Sequence, residues 1–326
     1  MDMYQKREMR KNKKMNEDVK SLPSTSINWF PGHMAKTRKQ ITEDLKLVDV
    51  VIELLDARIP ISSQNPEIAE ITKGKKRLVV LNKSDLADEK QNQKWLKYFQ
   101  KQGINAVLTD ANTGRGIEIC IKELEEMMKQ DLENLAQKGR TGRKIRAMIL
   151  GIPNVGKSSF INRIAKKASA GVGNKPGVTK QKQWIRINEK IELLDTPGVL
   201  WPKFESEEVG LHLAFTGSIK EEILDKVEIA YNLLKFLLEN YKENLCKRYN
   251  LNKDYIDETL SQENQPENVN IYEIMKEIGK KRGCIIAGGN IDDEKTAKII
   301  LDEFKNGKLR TNNYRKNRRK GIEGKE

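Results

Sequence analysis

Residues 145–158 read IRAMILGIPNVGKS. A short apolar strand, Arg146–Leu150, runs into GIPNVGKS, which fits the pattern GxxxxGK[ST]; from Ser158 the chain continues as SSFINRIAKKA with helical spacing at Phe160, Ile161 and Ile164. Gly151 and Gly156 let the backbone turn tightly. Pro153, Asn154 and Val155 complete the loop, and Lys157, Ser158 and Ser159 open the helix, so that backbone N–H groups and the helix N-terminus face a polyphosphate. Lys157 is expected to reach the β- and γ-phosphates and Ser158 to place its hydroxyl on Mg²⁺.

Downstream, Lys190–Leu194 reads as a strand leading into Asp195-Thr196-Pro197-Gly198. In this DxxG element Asp195 can hold the hydration shell of the metal and Gly198 can offer its N–H to the γ-phosphate. Between the two lies GVGNKPGVTKQ, rich in Gly and Pro, where Thr179 supplies a hydroxyl to complete the Mg²⁺ sphere or is an ordinary loop residue.

The base-reading half comes earlier. Asn82-Lys83-Ser84-Asp85 follows the apolar run Leu78–Leu81. The carboxylate of Asp85 can accept two hydrogen bonds from guanine N1–H and the exocyclic amine, a donor pair that adenine lacks, so GTP and GDP are expected over ATP. Lys83 is expected to lay its aliphatic stem along the base and Asn82 to tie this loop to the phosphate loop. The turn Asp110-Ala111-Asn112, after a short strand at Ala106–Leu108, resembles the short element that presents a backbone N–H, here that of Ala111, to the guanine O6. The order is therefore base tetrad, Ala loop, phosphate loop, Thr loop, DxxG: the usual order cut and rejoined. A circular permutation keeps the folded site while moving the termini, and whatever follows Gly198 is then pulled by the nucleotide state.

Composition narrows the partners. The 326 residues carry a net charge of +14, and from Lys305 to Glu326 nine basic residues stand against two acidic ones. Such a block reads as a solubility tail or as a polyanion-binding arm; the basic start of the chain (Lys6, Arg7, Arg10, Lys11, Lys13, Lys14) favours RNA or DNA backbone. No apolar run is long enough to span a bilayer and the first thirty residues lack an apolar stretch, so neither a membrane nor a secretory signal is expected. Cys120, Cys246 and Cys284 are scattered and form no CxxC pair, which points to buried thiols in a reducing cytosol.

With these elements in place, the sequence resembles the circularly permuted GTPases, and among them the ribosome-biogenesis members. The stretches that carry the likeness are INWFPGHMAKT at 27–37, DARIP at 56–60, NKSD at 82–85, GIPNVGKS with KPGVTK, DTPGVLWP at 195–202, RGCIIAGGNID at 282–292 and FKNGKL at 304–309. Such sequences tend to have Ser at the position of Asp110, so a side-chain role for Asp110 at the base is the least supported part of the match. The resemblance implies a cytoplasmic bacterial factor acting late in assembly of the large ribosomal subunit, in contact with its rRNA and ribosomal proteins. It also implies that Asn154 helps hold K⁺ beside the phosphates.

The expected fold is α/β: a circularly permuted GTPase domain at 27–208 with a doubly wound, mostly parallel sheet, then a small all-α domain at 209–310, flanked by a basic extension at 1–26 and a basic tail at 311–326. Strands are expected near 48–55, 77–82, 104–109, 145–150, 183–188 and 190–195, and helices at 221–241, 253–261, 270–281 and 293–306. The apolar face of 221–241 is read as core and His212 as structural. A monomer is expected, since nothing asks for an obligate dimer. Many GTPases place a glutamine after DxxG to orient water; here Val199 stands there and cannot hydrogen-bond. His33 is the candidate substitute, its neutral imidazole able to accept a proton; the alternatives are that it contacts rRNA or that its segment is anchored by packing of Trp29, Phe30 and Met34. The rival readings are a GTPase coupled to tRNA modification, which would need a partner enzyme or a second catalytic domain, and a GTP-dependent RNA-binding switch on another RNA with little turnover of its own.

Overall fold

The architecture is that of a computed structural model, which describes residues 34–168, 183–196, 206–219, 225–261 and 267–309. Six strands, β1 (Val50–Asp56), β2 (Lys76–Asn82), β3 (Asn105–Leu108), β4 (Ile145–Gly151), β5 (Gln183–Arg186) and β6 (Ile191–Asp195), form one sheet in the order β3-β2-β1-β4-β6-β5. All neighbours are parallel except β5, which runs antiparallel to β6 at the edge. β1 is buried along its whole length, as a strand covered on both faces must be. Val50, Ile52 and Leu54 pack with Leu78, Val80, Ala147 and Ile149 under α4 (Ile117–Gln137) and α5 (Lys157–Ala168). On the other face Val51 packs with Ile41 of α1 (Met34–Asp44) and Ile68 of α2 (Pro66–Ile71), while Leu55, Val79 and Leu81 pack with Phe99 of α3 (Glu89–Lys101).

The register decides where a ligand goes. Asp56 pairs with Asn82, and Leu54 with Gly151, so the C-terminal ends of β1, β2 and β4 lie side by side. That is the crevice where open α/β sheets take their ligands.

Helices fill the rest: α6 (Glu207–Phe215), α7 (Lys226–Tyr249), α8 (Lys253–Leu260), α9 (Glu267–Lys281) and α10 (Asp293–Lys305). Asp225, Asn252 and Asp292 cap α7, α8 and α10 by accepting first-turn N–H groups. Ala230, Leu233, Leu234, Leu237 and Leu238 of α7 are buried in the same cluster that runs under the sheet, so its apolar face is core. The helix outlasts the expected end near 241: Tyr241 leaves helical geometry (φ −143°, ψ 32°), a kink follows, and burial resumes at Leu245, Cys246 and Tyr249. All three cysteines are free and buried. Among the described residues no helix is long and apolar enough to cross a membrane.

Candidate active site

Asn82 is the knot of the base-reading end. It is buried, and its Nδ2 donates to the Val155 carbonyl of the phosphate loop at 2.9 Å, while its Oδ1 accepts from Thr109 Oγ1 at 3.2 Å and from the Ala111 N–H at 3.1 Å. Three loops are thus fixed by one side chain. Gly156, at φ +97°, is glycine for a second reason: a Cβ there would stand 2.4 Å from Asn82 Nδ2. Lys83 adopts a left-handed conformation (φ 59°) and stretches its ammonium to the Asn154 carbonyl at 2.7 Å and to Asp56 Oδ2 at 3.0 Å. Asp85 is exposed at the mouth; partial burial and the nearby Asp110 raise its pKa.

The Asp110 carboxylate shapes its own turn, accepting from the Asn112 N–H at 2.8 Å and Thr113 Oγ1 at 2.6 Å. The Ala111 N–H, expected to face a base oxygen, is directed at Asn82 Oδ1.

At the phosphate end, Lys157 Nζ lies 3.0 Å from Asp195 Oδ1, both side chains mostly buried. Ser158 and Ser159 are exposed in the first turn of α5, Pro153 is half-buried and Val155 fully buried beneath the loop. The hydroxyl of Ser158 and the carboxylate of Asp195 are hard oxygen donors of the type Mg²⁺ takes, so these residues fit the ion. Asn154 is left-handed (φ 59°) and its Nδ2 donates to the Gly217 carbonyl at 2.6 Å. His33, Thr179, Gly198 and Val199 lie outside the described residues.

The family model for the 50S ribosome-binding GTPase matches residues 146–276. A ribosome biogenesis GTPase A from Bacillus cereus is 49% identical over 283 residues, covering 87% of this chain and 91% of its own. The chain belongs to the ribosome biogenesis GTPase A family. It is a circularly permuted GTPase, with the GTP/GDP and Mg²⁺ use that this implies. A relative of the same description from Thermotoga maritima is 29% identical over 282 residues, covering 86% of this chain and 91% of its own. GNP-bound YlqF from T. maritima superposes with a TM-score of 0.57 at 27% identity, covering 85% of this chain and 97% of that one.

In this GTPase sequence reasoning gave Asp56 and Arg58 no role, although DARIP stood out. Asp56 ends β1 fully buried and accepts Arg58 Nε at 2.9 Å and Arg58 Nη2 at 2.7 Å as well as Lys83. Burial alone would raise its pKa; the Arg58 guanidinium and Lys83 ammonium outweigh that and hold the carboxyl well below the usual range. Arg58 also donates to the Lys305 carbonyl at 3.3 Å and lies over the Phe304 ring at 5.7 Å. Nothing local signals these contacts, which join residues 247 apart in sequence. His212 is buried on α6 with its Nδ1 2.8 Å from Ser62 Oγ, a structural placement.

Proposed function

We propose that this GTPase works in the cytoplasm at a late step of large ribosomal subunit assembly, bound to rRNA and ribosomal proteins as a monomer, with turnover stimulated by the subunit. The observation that carries the GTP part is the joining of NKSD, the Ala loop and the phosphate loop through Asn82; the ribosomal part rests on the relatives and on the basic surplus of the chain. Its working parts are a GTPase domain over about 27–208 and a helical ribosome-facing domain over about 209–310, with basic segments at 1–26 and 311–326.

Asp85 selects guanine, Lys83 covers the base, and the N–H groups from Pro153 to Ser159 cradle the phosphates. Ser158 and Thr179 would hold Mg²⁺ and Asp195 its hydration shell, and the ion would neutralise β- and γ-phosphate charge; Lys157 exchanges Asp195 for the phosphates when nucleotide enters. Gly198 offers its N–H to the γ-phosphate, where charge develops as water attacks in line. His33 orients that water and takes up its proton, the role that Val199 cannot fill. Asn154, whose Nδ2 is held by Gly217, keeps Oδ1 as the acceptor for K⁺.

The test is GTP turnover in K⁺ and in Na⁺ buffer, with and without purified large subunits, repeated with His33→Ala. Expected are a rate increase confined to large subunits, a lower rate in Na⁺, and a His33→Ala enzyme with reduced kcat at nearly unchanged GTP affinity. Tight GTP binding with no stimulated turnover would instead support the RNA-binding switch.

A further inference from the structure

The end of the sheet opposite the nucleotide is rich in cations. Two turns, KGKKR at 73–77 and KGRTGRKIR at 138–146, contain four and five cations and no carboxylate. Chain topology brings them together: the first leads into β2 and the second into β4, and only β1 separates those strands. Both therefore lie at the N-terminal end of the sheet, about 20 Å along β2 from Asn82 at a rise of about 3.3 Å per residue.

Some of these charges are neutralised within the protein. Lys76 pairs with Asp131 at 2.8 Å, Arg77 with Glu53 at 3.2 Å, Arg143 with Asp49 at 2.5 Å and Lys144 with Glu192 at 2.5 Å. Among the described residues, no carboxylate stands within ion-pair distance of Lys73, Lys75, Lys138 or Arg140. Lys75 is already positioned: its ammonium donates to the Val48 carbonyl at 2.7 Å, which fixes the charge without cancelling it and leaves further N–H donors. The 72–77 turn also forms, with residues 103–105 and Met127, an open cavity of about 590 Å³. Residues 138–143 are exposed throughout.

We propose that this basal edge is a docking surface for the phosphate backbone of RNA, with Lys73 and Lys75 beside the cavity and Lys138 and Arg140 on the neighbouring turn as its contacts. Uncompensated cations spread across two turns at one end of the sheet, one of them fixed by a backbone carbonyl, match a polyanion, and contacts of this kind position a complex without reading sequence. Because the edge lies at the opposite end of the sheet from the nucleotide, it holds RNA equally in the GTP and GDP states. The proposal rests on the ribosomal reading above.

The experiment is filter binding of the full chain to a large-subunit rRNA transcript across a salt series, in GDP and in a non-hydrolysable GTP analogue. It compares wild type with the fourfold variant Lys73→Ala, Lys75→Ala, Lys138→Ala, Arg140→Ala, and with a variant carrying Arg at the three lysine positions. Expected is an affinity loss of about tenfold or more for the alanine variant and a salt slope less negative by about 3. The loss should be equal in both nucleotide states and absent from the arginine variant, with GDP affinity unchanged in all three proteins. Unchanged affinity and slope in the alanine variant would overturn the surface while leaving the ribosomal reading intact. Wild type that binds no RNA would overturn both. The same variants are then bound to intact large subunits: a loss there but not on naked RNA would assign the edge to a protein and overturn the proposal.

Discussion

The two ends of the nucleotide site are held in opposite ways. At the base end, Asn82 and Asp56 are buried and their side chains are tied to other elements of the fold: Asn82 to the phosphate loop and the Ala loop, Asp56 to Lys83. At the phosphate end, Ser158 is exposed and Lys157 is paired with Asp195, a partner that a bound Mg²⁺ would also claim. The first end is part of the scaffold; the second must rearrange to work. A side chain lost from the base end should therefore cost folding, and one lost from the phosphate end should cost turnover.

Arg58→Met is the strongest test. It leaves the fully buried Asp56 carboxylate with Lys83 as its one remaining cationic partner named here, and it frees the Lys305 carbonyl. Breaking a buried pair in this way typically costs about 3–5 kcal/mol, which urea unfolding would read directly. A loss under about 1 kcal/mol, the scale of exposed ion pairs, would show that the base end is not a scaffold.

Next comes a matched pair. Asn82→Ala strands the Val155 carbonyl and the Ala111 N–H and should lower stability by roughly 3 kcal/mol. Lys157→Ala breaks a pair that is mostly but not fully buried; it should lower stability by less than Asn82→Ala does and lower GTP turnover about 10²–10³-fold. If both variants lost stability equally, the contrast between the two ends would fail.

What the sequence made legible follows the same division. Strands ended within about two residues of expectation because each is an apolar run cut off by a loop motif. The helix 221–241 was cut short because ENYKEN at 239–244 interrupts its apolar spacing, although Leu245 and Tyr249 are buried beyond it. Motifs at strand ends announced Asn82, Lys83 and Lys157, since their spacing is local. The Arg58–Lys305 and Asn154–Gly217 contacts were hidden: each depends on where the helical part packs, and a glycine carbonyl carries no pattern. The Asp110 contacts were hidden for a related reason, because a turn residue's side chain can serve its own backbone as easily as a ligand.

The smallest effect separates two acids on one strand. Asp56 and Glu53 are both buried on β1, three residues apart, yet Asp56 has two cations and Glu53 has Arg77, which reaches solvent. Burial consequently prevails at Glu53 and pushes its pKa up from 4.5 to about 7 against the pull of Arg77. A folded-state pKa above the unfolded one means that the folded protein holds the proton more tightly. The associated stability is complete below 4.5 and is lost as pH rises through about 7. Wild-type stability should therefore fall relative to Glu53→Gln by up to about 2 kcal/mol between pH 5 and pH 8, as urea unfolding at the two pH values would read. Parallel pH profiles would mean that Arg77 compensates Glu53 as fully as Arg58 and Lys83 compensate Asp56. The middle of β1 would then be as well paired as its end at the nucleotide.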